Sequence, residues 1–309
     1  MIRDNRSNDS VLIVGSMAFD DLELPSENAK NVVGGSATYA ALAAALFAPV
    51  RVVAVVGDDF PDGAVDTLSA RGVDTTGIER AAGKTFRWAG RYAPNLASRT
   101  TLDTQLNVFA DFRPKLPEAF RASPFLLLGN IHPSLQLEVL AQVKSPRLVA
   151  ADTMNFWISG ERATLIAMLA KIDTLVINDE EVRQLAGEHN IKKAAATVRA
   201  MGPRRLVVKR GEYGAMLFDD HGIFFAPAYP LEVEIDPTGA GDTFAGALMG
   251  YLSREGNLES STLRKALMVA ATVASFCVEG VGTARLESLD RDQVARRLED
   301  LRTLVHFGH

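Results

Sequence analysis

The chain has 309 residues, with 33 Lys and Arg against 38 Asp and Glu, so its formal net charge at pH 7 is −5, a balance that argues against a general nucleic-acid binder. With 47% hydrophobic and 23% charged residues, 24 Gly and 13 Pro, it is too apolar for a disordered chain and has no collagen-like bias. The single cysteine, Cys277, excludes an intramolecular disulfide framework and a Cys-rich zinc site, and suits a reducing cytoplasm.

The polar opening MIRDNRSNDS runs into VLIVG, an apolar run too short for a signal peptide or a membrane span, so neither secretion nor insertion is expected. Continuous apolar runs then recur at 11–15, 51–57, 125–130, 147–152, 174–179 and 205–211. Helical segments are predicted between and around them at 36–47, 62–71, 135–143, 162–171, 180–186 and 191–201, the last ended by Gly202 and Pro203. Apolar strands alternating with helices predict an α/β fold of the doubly wound type, a mostly parallel sheet covered on both faces. Two stretches break the alternation, 20–33 and 84–112, and read as strands of a small separate sheet. After Arg210 the pattern is a β-meander, AMLFDDHGIFFAPAYPLEVEI, with a DHG turn. Ala-rich helices are predicted at 239–252 and 261–277, and an amphipathic charged helix at 290–304. No repeat or linker divides residues 1–309, which are expected to form one domain.

The most informative segment is DPTGAGDTFAG at 236–246, between a strand ending in VEI and an Ala-rich helix. Gly239, Ala240 and Gly241 let the backbone pass close to a ligand while their N–H groups point out of a helix N-terminus, which makes an anion cradle. Asp242, in the first helical turn, complements the helix dipole; beside a bound phosphate it is also placed to accept a hydroxyl proton. The two readings are compatible.

This segment resembles the C-terminal signature of the PfkB carbohydrate kinase family, also called the ribokinase family, D-T-x-G-A-G-D-x-F-x-G, with Pro237 where Thr is usual. The resemblance, spanning most of 11–285, implies a ribokinase-like three-layer αβα sandwich with a small β-sheet lid at about 20–33 and 84–112. It implies that Asp242 is the base that deprotonates the acceptor hydroxyl, and that Gly239, Ala240 and Gly241 surround the γ-phosphate of ATP. It places Asp236 near a monovalent-cation site, so potassium activation is an expectation. GSMAFD at 15–20 resembles the family's first strand and turn, whose closing acid, here Asp20, hydrogen-bonds acceptor hydroxyls; a carboxylate can accept two such bonds at once. A solvated loop acid is the bland alternative.

Gly34, Gly35 and Ser36 read locally as a Gly-Gly turn with Ser36 as N-cap, and in the family this element lies under the substrate. Tyr39 stands where sugar-specific members commonly place Asn, which weighs against simple ribose specificity. INDEE at 177–181 resembles the N-x-x-E element, Asn178 and Glu181, which holds magnesium through its water shell; the local alternative is an N-cap followed by first-turn acids. KRGEYG at 209–214 resembles the nucleotide loop, with Lys209, Gly211 and Gly214 beside ATP, an exposed strand-end lysine being the alternative for Lys209; ASFCVEGVG resembles the adenine wall, where Cys277 is read as packing.

DTMNFW at 152–157 matches D-P-N-x-R at Asp152 but lacks the arginine, so Lys84, Arg87 and Arg91 become candidates for its phosphate contacts, with solvated strand charges as the alternative. Trp88 and Tyr92 close over a substrate, pack the lid or form a dimer contact. His132, His189, His221, His306 and His309 form no metal spacing, and no G-x-G-x-x-G follows the first strand. The expected activity is ATP- and magnesium-dependent phosphorylation of a small sugar or polyol. The alternative is a nucleoside kinase, and a non-catalytic nucleotide-binding regulator comes third. A homodimer through the lid is expected, because its strands offer sheet edges that need covering; no nucleic-acid or membrane partner is.

Overall fold

The computed structural model describes residues 9–306; the first eight residues, most of the polar opening, and His309 lie outside them. The strands are β1 (Val11–Val14), β2 (Ala18–Glu23), β3 (Asn28–Gly34), β4 (Val50–Val56), β5 (Val73–Arg80), β6 (Phe86–Tyr92), β7 (Arg99–Gln105), β8 (Phe125–Leu128), β9 (Leu148–Asp152), β10 (Thr174–Asn178), β11 (Arg205–Lys209), β12 (Ala215–Asp219) and β13 (Gly222–Ala226). The helices are α1 (Ser36–Ala45), α2 (Asp62–Ala70), α3 (Pro133–Leu140), α4 (Asn155–Gly160), α5 (Arg162–Leu169), α6 (Asp179–Ala186), α7 (Ile191–Arg199), α8 (Ala240–Glu255), α9 (Ser260–Cys277), α10 (Ala284–Glu287) and α11 (Arg291–Val305).

Nine strands form one sheet in the order β13-β12-β11-β10-β9-β8-β1-β4-β5, parallel except where β12 and β13 turn back. Every residue of β1, β8 and β9 is buried, because helices cover both faces. Strand alternation divides the core: Val11, Ile13, Phe125 and Leu127 pack with α1, α8 and α9, while Leu12, Val14, Leu126 and Leu128 pack with α3, α5, α6 and α7. The result is the three-layer α/β architecture. A second sheet, β3-β2-β6-β7, takes its strands from the two segments that broke the alternation, though 107–111 is a 3₁₀ turn and not a strand.

The Ala-rich helices have a positional purpose. A Cβ on Gly246 of α8 would stand 2.2 Å from the Ala40 carbonyl oxygen of α1, so the two helices cross almost backbone to backbone and the N-terminus of α8 comes to rest beside that of α1. Among the described residues no helix is long and apolar enough to cross a membrane.

The structure departs from the sequence reading where polarity hides pairing. β5, VDTTGIER, was not expected; as an edge strand it is largely solvated and lacks an apolar run. The predicted meander stops after the β12–β13 hairpin, and 231–235 form no strand. Pro227 and Pro230 follow that hairpin and cannot donate to a ladder. α3 begins at Pro133, with the His132 ring accepting the Ser134 N–H, two residues earlier than predicted; Pro suits the first helical position. α4, six residues long, is too short for a periodic signal.

Candidate active site

Three neighbouring parallel strands of the sheet end on polar residues at one edge. Asp152, Asn178 and Lys209 close β9, β10 and β11, and the register sets Asn178 opposite Lys209 and Asp152 opposite Val176. In an open parallel sheet the crevice beyond the carboxyl ends of the strands is where ligands bind. The Lys209 Nζ lies 3.1 Å from Asp152 Oδ2, and both side chains are largely buried.

Residues 236–241 meet this edge from the far side. Gly239 adopts φ 74° as N-cap of α8, a left-handed conformation that suits glycine. Asp236 is fully buried and staples the turn: Oδ1 accepts the Thr238 N–H and Oδ2 the Gly282 N–H, both at 2.9 Å. A Cβ on Gly241 would stand 2.8 Å from Lys209 Nζ, and one on Gly239 2.4 Å from the Tyr39 ring. The cradle formed by Gly239, Ala240 and Gly241 therefore has an ammonium over one side and an aromatic wall on the other, at the positive end of a 16-residue helix. Asp242 sits in the first turn of that helix.

Asp20, buried on β2, faces the same space. A Cβ on Gly34 would fall 2.1 Å from its Oδ2, so only glycine leaves that carboxylate room. Gly35, not Ser36, is the N-cap of α1. Ser36 instead exchanges hydrogen bonds with Ser16: each hydroxyl accepts the other's backbone N–H at 3.1 Å. That cross-chain pairing, absent from any local pattern, outcompetes capping. Tyr39 is buried and its hydroxyl has no hydrogen-bond partner among the described residues.

On the neighbouring strand end, Asn178 and Glu181 form a capping box. Asn178 Oδ1 accepts the Glu181 N–H at 2.8 Å and Glu181 Oε2 accepts the Asn178 N–H at 3.0 Å, so the local alternative is realised. It leaves Oε1 of Glu181 without a partner in that box. Gly211 and Gly214 bracket a 3₁₀ turn after β11, and the Arg210 N–H bonds the Gly214 carbonyl at 2.8 Å.

The crowding of carboxylates sets their protonation. Burial, then the negative charges of Asp236 and Asp242, raises Asp20 to about 7. Burial and Asp152 raise Asp242 to about 7, against the pull of Lys209 and Arg99. Burial and Asp152 likewise raise Glu181 to about 7. Asp20 and Asp242 bind their protons more tightly folded than unfolded, so stability is lost as pH climbs from about 4 through about 7. The ligand-free protein is expected to melt at a lower temperature at pH 8 than at pH 5.5, with a smaller difference in the Asp20→Asn/Asp242→Asn double variant. A pH-independent melting temperature in the wild type would refute these shifts.

Other candidates fall elsewhere. Arg87 is tied to Asn31 at 2.6 Å and stacks on Phe19 at 4.7 Å, Arg91 pairs with Glu23, and Lys84 is exposed. Two of the three are thus occupied within the small sheet and its base. The place of the missing arginine in D-P-N-x-R is taken by Phe156, 64% exposed. Cys277 is buried and its thiol is pushed up to about 12 by burial, in keeping with packing. The described histidines make no metal cluster. Sequence reasoning missed Arg99, whose positive charge acts on Asp20, Asp242 and Glu181 alike; the only signal was its place at the start of a strand in the small sheet.

A profile of the pfkB family carbohydrate kinases matches residues 7–289. The chain belongs to this family. It is a phosphotransferase of the pfkB type, and its sheet with helices on both faces plus a small second sheet is the ribokinase-like fold. The chain is 28% identical over 254 residues to a cytidine kinase of Thermococcus kodakarensis, covering 81% of this chain and 90% of that protein. Among solved structures, a ribokinase from Thermotoga maritima aligns with a TM-score of 0.75 at 23% identity, covering 94% of this chain and 99% of that one. A putative ribokinase II from E. coli in complex with ATP and Mg²⁺ aligns with a TM-score of 0.77 at 20% identity, over 94% and 99%.

Proposed function

We propose that this pfkB-family kinase transfers the γ-phosphoryl group of ATP to a hydroxyl of a small sugar or polyol, with Asp242 as the base. The observation that carries the reading is one juxtaposition: a glycine turn at a helix N-terminus, an ammonium over it, and two carboxylates, the half-buried Asp242 and the buried Asp20, on its acceptor side. Asp242 takes the hydroxyl proton onto a carboxylate oxygen while the acceptor oxygen bonds to the γ-phosphorus and the bond from that phosphorus to the ADP oxygen breaks. The N–H groups of the 239–241 turn and Lys209 offset the charge on the phosphoryl oxygens. Asp20 holds the acceptor by its hydroxyls, and Tyr39 offers a buried hydroxyl to the same substrate. Asn178, Lys209, Gly211 and Gly214 line the side assigned to ATP.

Magnesium, present with ATP in the E. coli neighbour, fits the residues here. Glu181 and Asp152 repel one another in a buried site, and among the described residues no three acidic, histidine or cysteine side chains converge as a direct cage. Glu181, with Asp152 beside it, would hold the ion through its water shell, next to Asn178. Once bound, the ion neutralises phosphate charge. Potassium belongs beside the loop that Asp236 staples, and a homodimer through the exposed strand β7 would cover that edge. A reducing, cytoplasmic setting agrees with the lone buried thiol.

A nucleoside is the second reading, favoured by the cytidine kinase relative and by Trp88. Its ring lies along the small sheet, 2.1 Å from where a Gly90 Cβ would be, one register step across from Asp20. That flat aromatic surface suits a nucleobase.

The test is ADP release with MgATP, with and without potassium, across sugars, polyols, sugar phosphates and nucleosides, using Asp242→Asn as the blank. Saturable turnover with a sugar or polyol, absent from the blank, is expected. Turnover confined to nucleosides would replace the first reading by the second, and none with any acceptor would remove both.

A further inference from the structure

With the exposed Phe156 standing where D-P-N-x-R has its arginine, Lys209 is, among the described residues, the cation that the main sheet brings against the cradle, and the small sheet carries another arginine whose position bears on it. The Tyr92 Oη lies 2.8 Å from Thr238 Oγ1, so β6 is pinned to the residue directly before Gly239. The antiparallel register places Arg99 opposite Tyr92, and cross-strand partners project from the same face of a sheet. The Arg99 guanidinium carbon stands 5.7 Å from the Trp88 ring centroid. Trp88 in turn is the register partner of Asp20.

A guanidinium held over an aromatic ring still carries a fork of N–H donors able to make a bidentate anion contact. Among the described residues the Arg99 side chain makes no hydrogen bond or ion pair, whereas its lid neighbours Arg87 and Arg91 are both engaged. Its charge is felt at Asp20, Asp242 and Glu181, the three carboxyls that surround the point where acceptor and nucleotide meet.

We propose that Arg99 is a catalytic residue supplied by the lid: its guanidinium binds the transferring γ-phosphoryl group from the side opposite the 239–241 turn, and the Tyr92–Thr238 hydrogen bond holds it there. The proposal rests on the kinase reading above for its chemistry. As the bond to ADP breaks and the bond to the acceptor oxygen forms, negative charge on the phosphoryl oxygens is shared between Lys209 and the N–H groups on one side and Arg99 on the other.

The experiment compares wild type, Arg99→Ala, Arg99→Lys and Lys30→Ala, the last an exposed control on β3 of the same sheet. Calorimetry measures binding of ADP and of a non-hydrolysable ATP analogue with magnesium, and kcat and KM are measured with the best acceptor. Arg99→Ala is expected to lower kcat by about 10²–10³-fold, to weaken the analogue by roughly tenfold, and to leave ADP within about twofold. Arg99→Lys, with charge but no fork, should fall between, and Lys30→Ala should match wild type. In a Trp157→Phe background, where Trp88 is the sole tryptophan of the two in the chain, the analogue but not ADP should shift its fluorescence.

Three results would overturn the proposal: unchanged analogue affinity and kcat, equal weakening of ADP and analogue, or a change confined to acceptor KM, which would put Arg99 on the acceptor. Absence of turnover in wild type would instead defeat the kinase reading, while the ADP-versus-analogue comparison would still judge Arg99.

Discussion

Asp242→Asn is expected to cut kcat by about 10²–10⁴-fold, the range over which a positioned base contributes, while leaving nucleotide binding intact or tighter. Asparagine is isosteric and tolerated at the start of a helix, so α8, the Gly239 turn and their packing against α1 stay as they are. What it lacks is a basic oxygen. In the native site the Asp242 carboxyl lies near 7, so at pH 6 much of the ligand-free enzyme holds the proton it must give up. The acid limb of kcat/KM should therefore fall near pH 7 and vanish from the residual activity of the variant. Removing a negative charge beside the cradle also removes repulsion toward phosphate, which is why calorimetric affinity for ADP should not fall. A variant with kcat within tenfold of wild type would show that the proton leaves by another route.

Gly239→Ala is the second change with a large expected effect, for a different reason. At φ 74° an L-residue carries roughly 1–3 kcal/mol of backbone strain, and the new methyl would meet the Tyr39 ring at 2.4 Å. Tyr39 is buried in the core between α1 and α8 and has nowhere to retreat, so the turn itself must shift. A displacement of about 1 Å in a positioning element costs on the order of 10²-fold in rate. The expected outcome is a loss of kcat of that size together with a lower melting temperature. Tyr39→Ala in the same chain removes the clash but opens a cavity in the core, so the double variant should lose less stability than the two single losses added together. Wild-type kcat in Gly239→Ala would mean that the turn does not touch the reacting phosphate.

Gly241→Ala marks the contrast. Its Cβ would meet only the tip of Lys209, a flexible ammonium that can swing aside, so the damage there falls on phosphate binding and not on the fold.

What the sequence determined by itself was whatever is written in contiguous residues. Runs such as VLIV and FLLL are apolar at every position because a parallel strand is covered on both faces, and DPTGAGD packs its staple, its left-handed turn and its acid into one helix start. Both are local, so both can be read along the chain. Tertiary structure decided the rest. The solvated edge strand β5 pairs despite its polarity; Ser36 serves Ser16, 20 residues away, and not its own helix. The carboxyls of Asp20, Asp242 and Glu181 depend on one another's charge and on burial, which no single segment specifies. Arg99 gains its place only because β7 lies against β6 and Tyr92 of β6 reaches Thr238, 146 residues further on. Charge and packing act through space, and the chain brings those residues together only by folding.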